Sequence, residues 1–330
     1  MGEFELIDRF FLQPARQRSA GSAVALGIGD DCALLAPAPG MQLAVSCDML
    51  VEGRHFLSTV DPACLGHKAL AVNLSDLAAC GARPLAFTLA LALAHADDAW
   101  LTGFSRGLFE LADAHGCQLI GGDTTRGPLN ICITVIGEVP NGQALLRSGA
   151  KAGDDIYASG TLGDARLALE VFRGKLTLPQ AAFDAARARM ERPTPRVALG
   201  QALRGVATAA ADVSDGLAGD LSHILRASGV GACLDAFETS QLIAEKDYLT
   251  LAIGQFYEEN ALKWVLEGGD DYELVFTAPR GRRSAVQAAA AATGTPVRRI
   301  GVIEAATGLR LAGHGGEPVQ RTFASFDHFA

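Results

Sequence analysis

The stretch PACLGHKALAVNLSDLAAC, residues 62–80, with Gly81 behind it and the apolar run 87–93 beyond, decides the fold class. Leu65, Ala69, Val72 and Leu77 recur at near-helical spacing, Gly81 supplies a C-terminal stop and Pro84 follows, so a helix is predicted over 62–80. The run 87–93 is short and apolar and reads as a buried strand. Upstream, 23–36 and 42–49 read as strands around a Pro/Gly turn at 37–40. Downstream, 98–115 reads as a second helix ended by Gly116, and 117–120 and 130–139 as strands flanking an acidic, Gly-rich loop. Strands alternating with helices are the mark of an α/β layer architecture.

At 330 residues the chain has room for two domains. Gly142, Gly149 and Gly153 punctuate 140–153 and a fresh strand begins near 156, which places the division at 1–145 and 146–330. The second part carries predicted helices near 164–173, 179–191, 196–204, 216–228 and 281–293. Its predicted strands lie near 209–213, 231–235, 272–278 and 297–304. Asp98 and Asp164 are placed to cap helices.

Composition removes several function classes. Four Tyr and two Trp supply few stacking platforms for nucleic acid, and a net charge of −9 opposes binding to a phosphate backbone. Metal ions would have to supply the positive charge for any nucleotide. The largely apolar run 85–94 is far below the roughly 20 residues that span a bilayer, and 1–11 carries acids without a long apolar core. The seven cysteines are scattered with no C-x-x-C spacing, as for buried thiols in a reducing compartment. Together these point to the cytoplasm.

No Lys is followed by Ser or Thr, so there is no phosphate-binding loop of the G-x-x-x-x-G-K-[ST] type, and G-x-G-x-x-G, H-E-x-x-H and G-x-S-x-G are also missing. What recurs is Asp beside Gly or a small hydroxyl residue: Gly29-Asp30-Asp31, Ser46-Cys47-Asp48, Asn73-Leu74-Ser75-Asp76, Gly121-Gly122-Asp123-Thr124-Thr125, Asp212-Val213-Ser214-Asp215-Gly216 and Gly268-Gly269-Asp270-Asp271. Carboxylate and hydroxyl oxygens are hard ligands suited to Mg²⁺. An adjacent Gly lets backbone approach a phosphate. Phosphoryl transfer needs this combination, because it rests on positioning and charge neutralisation. A single Asp-Gly pair is more often a turn than a ligand; six such clusters in one chain weigh towards metal. Asp76, inside the predicted helix with Asn73 three residues before it, faces either solvent or a metal.

These clusters, with Lys68–Ala79, Arg147-Ser148-Gly149-Ala150-Lys151 and Gly269-Asp270-Asp271-Tyr272-Glu273-Leu274, resemble the thiamine-monophosphate kinase family in order along nearly the whole chain. That family belongs to a superfamily shared with aminoimidazole-ribonucleotide synthetase, selenophosphate synthetase and a hydrogenase-maturation protein. The resemblance implies an N-terminal α/β domain that pairs its sheet across a homodimer and a C-terminal α/β domain packed against it. ATP would lie at the domain and subunit junction. The dimer would also give partners to the apolar strands 42–47, 87–93 and 130–137. Asp31, Asp48, Asp76, Asp123 and Asp212 would ligate several Mg²⁺ ions, with Ser46 and the position of Cys47 adding oxygen and Asp215 holding a further ion. Gly122, Asp123, Arg147 and Ser214 would contact ATP, and His55, Asp270 and Phe326 would contact thiamine monophosphate. Cys47 stands where a hydroxyl residue is usual, so its ligand would be the backbone carbonyl. Phe326 stands where Tyr or Trp is common, leaving stacking without a hydrogen bond. Taken alone, His55 is more often a surface or satisfied core histidine, Arg147 a solvated charge and Phe326 a core anchor.

The implied reaction is ATP plus thiamine monophosphate giving ADP plus thiamine diphosphate. Its acceptor is a phosphate oxygen already ionised at neutral pH, so no strong general base is required. Another ATP-dependent enzyme of the superfamily, or a non-catalytic nucleotide-binding protein, is the alternative. Residues 1–26 hold no Cys, which argues against selenophosphate synthetase, and the intact carboxylate set argues against a non-catalytic protein.

Overall fold

The computed structural model describes residues 2–18, 23–244, 246–313 and 316–319. They form two compact units, Met1–Leu77 with Ala82–Ala144, and Ala78–Gly81 with Leu145–Ala330.

The first unit opens with short helices α1 (Glu3–Ile7) and α2 (Gln13–Gln17) around a π-helical turn, Asp8–Leu12. Then come β1 (Val24–Leu26), β2 (Leu34–Leu35), β3 (Met41–Val51), α3 (Pro62–Ala79), β4 (Arg83–Leu93), α4 (Asp98–Ala114), β5 (Gln118–Arg126) and β6 (Asn130–Pro140). The long strands form one sheet in the order β3-β6-β4-β5, parallel only between β4 and β5. The apolar strands expected to need partners therefore find them in one another. What remains uncovered is a face: Leu43, Val45 and Met49 on β3 are 46%, 62% and 53% exposed. The alternate residues Ser46 and Asp48 turn towards α3, as the period of two in a strand requires.

Helix α3 is buried almost all round, with Leu65, Leu70, Leu74 and Leu77 within 1% of full burial, each worth about 1.5–3 kcal/mol. It packs on α4 at backbone contact: a Cβ on Gly66 would lie 2.0 Å from the Phe104 carbonyl oxygen, and one on Gly107 1.8 Å from that of Ala63. This closeness fixes the helix that carries Asn73 and Asp76.

Several local expectations are corrected. The stretch 23–36 is two short strands separated by the Gly29-Asp30-Asp31 turn. The expected loop after residue 120 is extended, because Gly121–Arg126 continue β5 in register with Thr88–Leu93. The cap of α4 is Asp97, which accepts the Trp100 amide at 2.7 Å; Asp98 instead binds Arg9. Gly163 stands at the cap of the first helix of the second unit, and Asp164 turns inward.

The second unit runs β7 (Asp155–Ser159), α5 (Asp164–Phe172), α6 (Gln180–Glu191), α7 (Val197–Ala202), β8 (Ala209–Val213), α8 (Leu217–Ser228), β9 (Gly231–Asp235), α9 (Ala236–Ser240), α10 (Lys246–Glu267), β10 (Glu273–Ala278), a 3₁₀ turn at Arg280–Arg282, α11 (Arg283–Thr293), β11 (Val297–Glu304) and β12 (Gly308–Ala312). Its sheet order is β12-β9-β11-β7-β10-β8. Ile156, Leu167, Val213, Leu221, Leu234, Val265, Val275 and Ile300 belong to its core. The fully buried Glu273 carboxylate accepts from Ser159 Oγ at 2.6 Å and from Arg189 and Arg196, anchoring the α6–α7 region to the sheet. Among the described residues, no helix is long and apolar enough to cross a membrane.

Candidate active site

In the first unit the chemistry gathers at two places. A hollow of about 260 Å³ is lined by Asp30, Asp31, Thr88, Gly122, Asp123 and Thr124, among others. It brings together Asp31 with Gly122 and Asp123, which are far apart in sequence. Gly122 has φ 146°, and a Cβ there would lie 1.8 Å from the Leu89 carbonyl oxygen, so only glycine lets β5 lie this close to β4 beside the hollow.

The second place is where α3 meets β3. Ser46 Oγ donates to Asp76 Oδ2 at 2.5 Å, and the Asp48 amide donates to Asn73 Oδ1 at 3.1 Å, while Asn73 Nδ2 donates to the Ala69 carbonyl at 3.0 Å. Asp76 is thus neither a solvated helix residue nor a buried lone charge. Cys47 points the other way: its Sγ lies 3.4 Å from Cys132 Sγ on β6. Its thiol lies on the sheet face opposite that of Ser46 and Asp48. Burial, and the Cys47 thiol beside it, push Cys132 up to about 11.

His55 follows β3. Its Nδ1 accepts the Val51 amide at 3.0 Å, leaving Nε2 to carry the proton of the neutral ring, and its carbonyl accepts from the buried Lys68 ammonium at 3.3 Å. Lys68 lies two helical turns before Asp76.

In the second unit, Asp212 is buried on β8 opposite Leu274. Strand β8 leads into the Ser214-Asp215 loop before α8. One residue that the sequence reading did not single out organises this loop. Asp220, in the first turn of α8, accepts the Ser214 and Asp215 amides on the same oxygen, each at 3.0 Å. Burial is the main cause that raises its carboxyl to about 7; the Asp215 charge adds to this and Arg147 opposes it. The spacing Asp215 to Asp220 could have signalled it, since an acid in a helix's first turn faces the free amides before it. Arg147 also lowers the His223 pKa, after the larger effect of burial.

The Asp270 amide donates to the Ser214 carbonyl at 2.7 Å, which joins the Gly269–Tyr272 turn to the same loop. Asp270 and Tyr272 have φ of 66° and 53°, strained for residues with a Cβ and held here by their neighbours. Asp271 is fully buried, accepts the Gly163 amide at 2.9 Å, and is raised well above the usual carboxylate range by burial. Phe326 lies outside the described residues.

Among the described residues, no three His, Cys, Asp or Glu side chains stand close enough to hold a metal by themselves. The donors in the first unit are hard oxygens in pairs or small groups, Asp31 with Asp123 and Ser46 with Asp76. That fits Mg²⁺, which is usually held by one or two carboxylates plus water and substrate phosphates rather than by an all-protein cage.

Residues 29–139 match the model of the AIR synthase related protein N-terminal domain, and residues 151–314 that of its C-terminal domain. The thiamine-monophosphate kinase of Escherichia coli (strain K12) is 48% identical over 330 residues, spanning 100% of this chain and 98% of that one. That of Haemophilus influenzae is 41% identical over 345 residues, again with 100% and 98% coverage. Among solved structures, the thiamine-monophosphate kinase from Stenotrophomonas maltophilia K279a superposes with a TM-score of 0.84 at 46% identity, covering 97% of this chain and 98% of that one. AaThiL complexed with AMPPCP and TMP superposes with a TM-score of 0.75 at 28% identity, covering 99% and 97%. With both domain models matched and relatives alike over its full length, the chain belongs to the thiamine-monophosphate kinase family of ATP-dependent phosphotransferases.

Proposed function

We propose that this chain transfers the γ-phosphoryl group of ATP directly to the phosphate of thiamine monophosphate, giving thiamine diphosphate and ADP. The observation that carries the reading is the hollow where Asp31, Gly122 and Asp123 converge, within a chain whose relatives bear that kinase name. Support for the two substrates comes from AaThiL, whose solved structure is complexed with AMPPCP and TMP.

Several Mg²⁺ ions fit the donor set, with Asp31, Ser46, Asp48, Asp76, Asp123, Asp212, Asp215 and the Cys47 carbonyl as their ligands. When bound, they would supply the charge neutralisation that lets two anionic phosphates meet. The chain's own residues do the rest. Gly122 keeps the backbone side of the hollow open to phosphate, and Asp123 lies beside it. Asp220 holds the Ser214 and Asp215 amides in place, and Arg147 brings a cation towards the same loop. His55, tied by its ring nitrogen and its carbonyl, and Asp270, held by the Ser214 carbonyl, are the contacts for thiamine monophosphate, with Phe326 the third. No residue need remove a proton, because the acceptor oxygen is already ionised.

The protein acts in the cytoplasm as a homodimer joined through the first unit. The uncovered sheet face with Leu43, Val45 and Met49 supports that joining surface. Incubation with ATP, Mg²⁺ and thiamine monophosphate, followed by chromatography, tests the reaction: thiamine diphosphate should accumulate, and ATP consumption without it would overturn the reading.

A further inference from the structure

The turn that carries Asp270 is bent against the preference of its own residues. Gly269, Asp270 and Tyr272 have φ of 68°, 66° and 53°, so three of the four residues 269–272 lie in the left-handed region. Glycine takes that conformation freely, aspartate at a cost, and for a bulky residue such as tyrosine it is an outlier. Such backbone persists only where the surroundings over-determine it. On one side the surroundings are main chain. The Asp270 amide donates to the Ser214 carbonyl at 2.7 Å and the Tyr272 amide to that of Val213 at 2.9 Å. A Cβ on Gly269 would lie 2.6 Å from the same Ser214 oxygen, so the turn is pressed onto the end of β8. On the other side the tie is a side chain. Asp271, 2% exposed, accepts the Gly163 amide at 2.9 Å and so reaches the loop between β7 and α5.

We propose that Asp271 is a positioning residue for the substrate: it locks the 269–272 turn between the ends of β8 and β7 and so fixes Asp270 for contact with thiamine monophosphate. The proposal rests on the kinase reading and on Asp270 as a substrate contact. Asp271 acts through Asp270, because its own carboxyl is buried against Gly163.

What the position demands is an acceptor. The Gly163 amide stands at the cap of α5, and removing its partner would leave a buried donor unsatisfied. A negative charge is not what the position favours, since burial raises the Asp271 carboxyl well above the usual carboxylate range. Asparagine, with an oxygen in the same place, should therefore keep the lock. Alanine should release it and let the turn relax out of its strained conformation. Misplacement of a contact by 1 Å can cost about 10²-fold.

The test is steady-state kinetics of the assembled protein with Mg²⁺, varying each substrate in turn. Asp271→Ala should raise KM for thiamine monophosphate on the order of 10–100-fold, as for a lost hydrogen bond to a charged group, with KM for ATP within about twofold of wild type. Asp271→Asn should restore both values. In an Asp270→Ala background, Asp271→Ala should add nothing further, because coupled residues are not additive. An unchanged KM for thiamine monophosphate in Asp271→Ala, an equal rise in both KM values, or effects that multiply in the double variant would overturn the proposal. Asp271→Asn behaving like Asp271→Ala would overturn the acceptor role. Where Asp271→Ala does not fold, Asp271→Ser carries the same test, its hydroxyl being too short to reach Gly163. Amide exchange read by mass spectrometry follows the lock without turnover. The peptide holding 269–272 should exchange about tenfold faster in the alanine variant, with β10 unchanged, and equal exchange would overturn the lock. If wild type makes no thiamine diphosphate, the kinase reading fails while the exchange result still decides the lock.

Discussion

Asp220→Asn separates two effects that the buried carboxyl combines. In the metal-free protein the folded state raises this carboxyl from the usual 3.8 to about 7, chiefly by burial. Between those two values the folded chain binds more protons than the unfolded one, so the group's contribution to stability is greatest below about pH 4. It declines as the pH rises through 7. The displacement is worth on the order of 4 kcal/mol across that window. Asparagine removes the charge but keeps an oxygen for the Ser214 and Asp215 amides, now 3.0 Å from one carboxylate oxygen. The variant should therefore melt near wild type at about pH 4 and increasingly above it as the pH rises to 8. At roughly 2–4 °C per kcal/mol for a unit of this size, a gap on the order of 10 °C should open. Asp164 and Asp271 are raised in the same direction by burial, so the variant's profile should be shallower than wild type but not flat. Asp220→Ala, which leaves both amides without their acceptor, should lose about 1–3 kcal/mol at low pH. The assay is thermal unfolding in chelator from pH 4 to 8. Parallel profiles for wild type and Asp220→Asn would refute the argument.

Three further outcomes are expected. Asp76→Asn keeps an oxygen for the Ser46 hydroxyl, so melting without metal should stay within about 0.5 kcal/mol of wild type, while turnover with saturating Mg²⁺ and ATP should fall on the order of 10²–10³-fold; near-wild-type turnover would remove the metal role. Mg²⁺ with ATP should raise the melting temperature well beyond ATP alone, because clustered carboxylates repel a bare polyphosphate, and equal shifts would count against metal-assisted binding. Sedimentation at micromolar concentration should give a dimer, and substituting Val45 with Asp on the uncovered face should weaken it; a wild-type monomer would contradict the joining surface.

Most of the architecture could be read from the chain, because α3, α4 and the apolar strands announce themselves by period and by glycine or proline stops. The misreadings have local causes. Gly121–Arg126 carries turn-like residues, yet pairing with β4 extends it. Helix α10 went unread because it lacks a clean apolar stripe and is broken at Gly254, where φ is 45° and ψ −119°. Asp97 and Asp98 are adjacent acids, and sequence alone does not tell which one caps. The site was legible as a set of clusters but not as an arrangement. That Asp31 and Asp123 share one hollow depends on how β5 lies beside the 29–31 turn. Asp220 carries no motif of its own and acts only through the amides that it receives.

Direct transfer between two phosphates is tested by following the transferred atom. ATP labelled on its γ-phosphorus is supplied with Mg²⁺ and either thiamine monophosphate or thiamine. The label should appear in thiamine diphosphate with the first acceptor, in equal amount to the ADP formed, and in no thiamine compound with the second. Label released only as inorganic phosphate, or found in thiamine monophosphate when thiamine is the acceptor, would contradict it.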